Sequence, residues 1–186
     1  MSDDSGSATP GVKLWEDLLA DTDAIAEEYR EAGWEVVVVQ PGDVSPVQKD
    51  ERFGFSVLVP DSEYDTVEAI VEREDVTFDA AEIYHRPMGN TTFALAVELD
   101  TDSETAVLVP LAYGLQEMKP VFETALEEGE LRIHVRPLSI DTWVSFAHDD
   151  PSLFVDEERL ADLEANAPET RLSELLEERD EGGDEE

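Results

Sequence analysis

A chain with 48 Asp and Glu against 12 Lys and Arg, a formal net charge of −36 on 186 residues, can fold only if something offsets its self-repulsion. A small domain ordinarily carries a net charge of magnitude about 2–8, and an excess on this scale destabilises the compact state in dilute buffer. Near 1 M ionic strength the Debye length falls to about 3 Å, and most of the repulsion is screened. Only Lys13, Lys49 and Lys119 are lysines; the other basic residues are arginines. An acid-saturated, lysine-poor surface over an ordinary core is what a halophilic, cytoplasmic protein in molar salt requires. The charge reports habitat rather than activity.

The rest of the composition excludes more than it assigns. An aromatic content of 8% and a hydrophobic content of 41% fit a globular core of one domain's size. The absence of cysteine removes disulfides, thiolate zinc sites and a cysteine nucleophile. The amino-terminal residues lack the basic and apolar regions of a signal peptide, and no run approaches the roughly 18 apolar residues of a membrane span. A field this negative repels phosphate backbones, so neither nucleic acid nor membrane is expected as a partner.

Periodicity predicts an α+β fold: a mostly antiparallel sheet with helices chiefly on one face. Residues 1–10 read as a disordered lead, 11–166 as a single domain and 167–186 as an acidic tail; residues 156–186 hold 14 acids and three arginines. Within the domain, residues 12–32 carry a helical stripe and 34–40 a β-branched strand. Pro41–Gly54 reads as the longest internal loop. A strand at 55–59 leads to a helix opened by a capping box at Ser62 and Asp65. Strands near 77–87, 92–99 and 105–111 form a meander whose Pro110 belongs at an edge or strand end. A helix follows near 115–128, beginning or kinking at Pro120 and stopped by Gly129. Leu131–Leu138 is a further strand; Thr142–Ala147 either pairs with it or leads into a short helix over about 156–163.

Basic residues are so scarce that their placement carries the functional reading. Strand alternation puts Arg132, His134 and Arg136 on one face of Leu131–Leu138, opposite Leu131, Ile133 and Val135. His85 and Arg86 end another strand, and His148 lies just downstream. These six residues are the candidate anion site, gripped by arginine forks; the competing reading pairs the arginines with neighbouring carboxylates. The three histidines have ligand chemistry but no spacing that concentrates them, so no metal or other cofactor is assigned. Glu117-Met-Lys119 echoes a nuclease pattern but lies in a helical stretch. No G-x-S-x-G, P-loop or G-x-G-x-x-G occurs, so no catalytic residue is assigned.

Arg30–Val44, His134–Ser139 and Phe146–Phe154 together resemble a family of uncharacterised proteins from halophilic archaea, over about residues 12–155. That resemblance implies the habitat and carries no activity. The expectation is a non-enzymatic binding or interaction module, contacting an unknown protein or a small anion; the alternative is an enzyme acting on a small phosphate- or carboxylate-bearing substrate. The charge gives the first test. Circular dichroism should show a cooperative fold far more stable in multimolar than in decimolar KCl; equal melting temperatures in both would remove the halophile argument.

Overall fold

In the computed structural model, which describes residues 10–49 and 52–165, the apolar runs become two four-stranded sheets. Along the chain come α1 (Pro10–Glu31), β1 (Glu35–Val38), β2 (Asp43–Lys49), β3 (Arg52–Val59), α2 (Asp61–Val71) and β4 (Ala80–Met88). Next are β5 (Thr91–Asp100), β6 (Thr105–Gly114), α3 (Leu115–Glu128), β7 (Leu131–Pro137), β8 (Val144–His148), a 3-10 turn at Pro151–Leu153, and α4 (Glu157–Ala165). The chain divides into the units Met1–Phe154 and Val155–Glu186. In the second, Asp156 caps α4 by accepting the Glu158 N–H at 3.0 Å. No helix among the described residues is long and apolar enough to cross a membrane. The expected lead up to residue 9 and the expected acidic tail lie outside the described residues.

The first sheet runs β1-β6-β5-β4 and the second β2-β3-β7-β8. Each holds one parallel pair, β1 with β6 and β3 with β7, and is otherwise antiparallel. The α+β class therefore stands, with the strands divided between two sheets instead of gathered in one.

Alternation on β5 and β6 decides what each face of the first sheet meets. Leu95, Val97, Leu99, Ala106 and Leu108 form one core with Ala26 of α1, joined by Leu18, Ile25, Tyr29 and Trp34. The opposite face carries Tyr113, whose ring meets Phe55 of β3 at 4.8 Å and Phe122 of α3 at 5.7 Å. Phe55 also contacts Phe122 and Phe154. Burying aromatics of this size supplies the largest single increments of core stability. Contacts place α2 and α3 on the inner face of the second sheet: Phe122 on Phe55, Thr124 on Gln48, and Tyr64 on Thr142.

Several local expectations are corrected. The presumed loop Pro41–Gly54 contains β2 and the start of β3. Pro46 is tolerated because β2 is an edge strand: Gly42 N–H bonds the Leu58 carbonyl, which turns odd-numbered β2 residues toward β3 and the Pro46 nitrogen outward. Pro110 lies inside β6, not at its end, but two residues past Leu108, whose carbonyl receives the last β1-side bond from Val39; its nitrogen faces the edge that β1 leaves bare. The capping box does not form. Pro60 is the N-cap of α2 without a side-chain bond, and Asp61 turns away to accept the amides of Leu138 and Ser139. Helix α3 runs unbroken through Pro120 to a left-handed Gly129 at φ 74°. Pro120 is its sixth residue, so the missing donor costs one early bond.

Gly54 holds the second sheet together. Its φ is +136°, and a Cβ there would lie 1.9 Å from the Arg132 carbonyl oxygen. Only glycine lets β3 close on β7 at that point. Gly54→Ala should cost more than about 3 kcal/mol, because both the backbone angle and the contact are violated. Urea midpoints at fixed salt would measure it, and a loss under about 1 kcal/mol would contradict the close approach.

Candidate functional site

The outer face of the second sheet is where the basic residues gather. Register puts Lys49 beside Arg52, Gly54 beside Arg132, Ser56 beside His134 and Leu58 beside Arg136. On β8, Ala147 and Ser145 oppose Arg132 and His134, and Trp143 precedes the strand with the same parity. The face thus carries Lys49, Arg52, Arg132 and Arg136, with Asp43 as the strand acid that shares it. Lys49 and Ser145 are exposed, and Trp143 is 36% exposed.

His134 lies under this surface at 1% exposure. Odd-numbered residues of β3 turn their N–H toward β7, and Phe53 N–H arrives where the backbone pairing has stopped at Gly54 and Arg132. The imidazole replaces the missing carbonyl: Nε2 accepts the Phe53 N–H at 3.0 Å. An amide can only donate, so the neutral ring carries its proton on Nδ1, which donates to Ser145 Oγ at 2.6 Å. Burial, then the positive charges of Arg132 and Arg52, pull its pKa down from 6.5 to about 4. Both nitrogens are engaged, and protonating Nε2 would set its N–H against that of Phe53. This histidine is a tie between strands and has no nitrogen free to move a substrate proton.

The arginines differ from one another. Arg132 reaches Glu130 Oε1 through Nε and Nη2, both at 3.2 Å, an exposed pair worth at most about 1 kcal/mol. Arg52 lays its guanidinium over Trp143, Cζ to ring centroid 4.5 Å. Arg136 pairs with no carboxylate among the described residues. The Nε atoms of Arg52 and Arg136 are both buried without a hydrogen-bond partner. Sequence reading missed Arg52 and Lys49, because their segment lacked alternation strong enough to read as strands.

His85, Arg86 and His148 lie elsewhere. His85 and Arg86 sit on β4 of the first sheet, lining a cavity of about 140 Å³ with Leu14, Asp17 and Asp21 of α1. His148 points to the inner face of β8, its Nε2 2.7 Å from Glu98 Oε1, both side chains 3% exposed. Burial pushes the Glu98 carboxyl above its usual range, and His148 pulls it back. A cavity of about 430 Å³ beside His148 is edged by Asp79, Glu130, Asp149 and Asp150. Glu98 also escaped sequence reading; a lone charge inside the apolar run Thr92–Leu99 was its signal.

The titration of His134 has a signed consequence. Its folded pKa lies below the unfolded value, so between them the unfolded chain binds a proton that the fold refuses. Stability falls as pH drops from about 6.5 toward 4, by roughly 3 kcal/mol in total, and the term is flat outside that window. His134→Gln removes this term, so wild-type minus variant stability, from urea midpoints at fixed KCl, should shrink across the window. A pH-independent difference would disprove the buried neutral ring.

No curated protein and no solved structure matches this chain. A family model matches residues 4–156. The chain belongs to that family, DUF7529, a family of unknown function.

Proposed function

We propose that the protein is a non-enzymatic binding module of a halophile cytoplasm, and that the outer face of its second sheet takes a phosphate- or carboxylate-bearing ligand. One observation carries the reading: in a chain with 48 acids, Arg136 has no carboxylate partner among the described residues and a buried Nε that bonds nothing. Desolvating a guanidinium donor without a partner is costly, and an anion accepting from that fork would repay it. Arg52, with the same orphaned donor, and Arg132 share the face.

The enzyme alternative has less support. His134 is occupied at both nitrogens, so it offers no proton donor or acceptor to an anion at Arg132 and Arg136. His148 and Glu98 make a buried imidazole–carboxylate pair beside a cavity, but four carboxylates edge that cavity and repel an anionic substrate. Molar salt fits the binding reading, because it screens the distant acids while direct forks still act at contact distance.

Thermal shifts in molar KCl test it, with inorganic phosphate, pyrophosphate and citrate as probes. A probe at one hundred times its Kd adds about 2.7 kcal/mol, or roughly 5–10 °C for a chain of this size. Arg136→Ala should abolish the shift and leave the ligand-free Tm within about 2 °C, since it strands no carboxylate. Absence of any shift, or a large ligand-free loss on Arg136→Ala, would make the arginines architecture instead.

A further inference from the structure

The longest edge strand among the described residues is β4, nine residues at the end of the first sheet. Strand parity fixes which of its groups face outward. The Val39 N–H to Leu108 carbonyl bond turns even-numbered β6 residues toward β1. Register then turns odd-numbered β5 residues toward β4, and even-numbered β4 residues toward β5. The N–H and C=O groups of Ala81, Ile83 and His85 consequently face away from the sheet, with the donorless nitrogen of Pro87. An edge of this length with free main-chain groups is a template for strand addition.

We propose that this edge pairs antiparallel with β4 of a second copy, about a two-fold axis at Tyr84, making one continuous eight-stranded sheet. Odd residues must meet odd residues for the outward groups to bond, which leaves axes at Ile83, Tyr84 or His85 near the strand centre. Only the axis at Tyr84 sets opposite charges face to face: Glu82 opposite the partner's Arg86 and Arg86 opposite the partner's Glu82. These two ion pairs flank the two Tyr84 rings, which share their face and are 51% exposed in the single chain. Arg86 makes no ion pair among the described residues, whereas Glu82 is already braced by the hydroxyls of Tyr29 and Tyr84. Ile83 and His85 exchange main-chain bonds across the axis. Ala81 and Pro87 meet outside them, where the only bonds forgone are those that proline cannot donate. Cross-strand opposite charges favour such a register, and like charges directly opposite penalise it. Molar salt removes the long-range repulsion between two such acidic chains and leaves the contact pairs and ring burial in place.

Sedimentation equilibrium of the full chain in molar KCl reads the association directly. The wild type should have twice the chain mass at micromolar concentrations. Arg86→Glu, which sets Glu against Glu, should weaken dimerisation at least tenfold, and Glu82→Arg should do the same by setting Arg against Arg. The double variant restores both pairs and should return the dimer. In the cysteine-free chain, Tyr84→Cys places two thiols across a non-hydrogen-bonded pair on the axis, where a disulfide closes; a mild oxidant should give a covalent dimer, whereas Trp143→Cys should not. A wild type monomeric up to millimolar concentration, a double variant that fails to dimerise while folded by circular dichroism, or no cross-link at Tyr84 would each overturn the proposal.

Discussion

Because His134 takes the Phe53 N–H on Nε2 and gives its own Nδ1–H to Ser145, three strands of the second sheet are tied by a ring that has to stay uncharged. The tie exists because the pairing of β3 with β7 begins only at Gly54 and Arg132, which leaves the amide of Phe53, one residue earlier, without a backbone acceptor. Leaving that amide bare in a buried position would cost about 1–3 kcal/mol. The arginines then follow from parity: residues flanking a buried histidine at i−2 and i+2 must emerge on the same face. Positive charge gathers above the ring and helps keep it neutral, so the surface and its foundation are electrostatically consistent.

Among the described residues most acids are at the surface, and the few with defined partners show what separates structure from solvation. Asp100, 3% exposed, accepts the Ser103 hydroxyl and the Thr77 and Asp102 amides, and these bonds hold its carboxyl below the usual range. It closes the β5–β6 turn. Asp61 does the same for the turn after β7, its carboxyl lowered by Ser139. Glu98 is the opposite case, since burial dominates and its pKa rises. One carboxylate type thus serves as a turn clamp where amides converge and as half of a buried pair where they do not.

Helices with clear stripes and strands with clean alternation were legible: α1, β5, α3 with its Gly129 stop, and β7 were all readable from spacing and β-branching. The face shared by Arg132, His134 and Arg136 was legible too, because period two needs no knowledge of partners. What failed depended on partners. β2 and the start of β3 contain Pro46, Gly54 and mixed charge, so composition argued for a loop; their strand character comes from pairing with each other, and β7, far along the chain, joins β3 only from Gly54 onward. The capping box at Ser62 failed because α2 begins at Asp61 with Pro60 as its N-cap, which puts Ser62 inside the first turn. The division into two sheets was invisible for the same reason, since strand order is set by crossovers and not by local pattern. The separation of His85 and Arg86 from the arginine face follows from that division, and that of His148 from parity, which turns it to the inner face of β8.

Prolines show how the two sheets manage their borders. Pro46, Pro87 and Pro110 all lie within strands, and register turns each ring nitrogen toward a border with no paired strand: the outer side of β2, the outer side of β4, and the stretch of β6 beyond β1. A proline there costs no ladder bond and denies one to an intruder. On β2 it falls in mid-strand, at Pro46, and blocks the border. On β6 it falls at Pro110, the first β1-facing position after Leu108. On β4 it falls one residue from the end, at Pro87, and leaves Ala81, Ile83 and His85 able to bond. The one long border that its proline does not close is also the one with an alternating Glu82, Tyr84 and Arg86 face. A border that only has to repel strands needs no such complementarity, whereas one that accepts its own copy does.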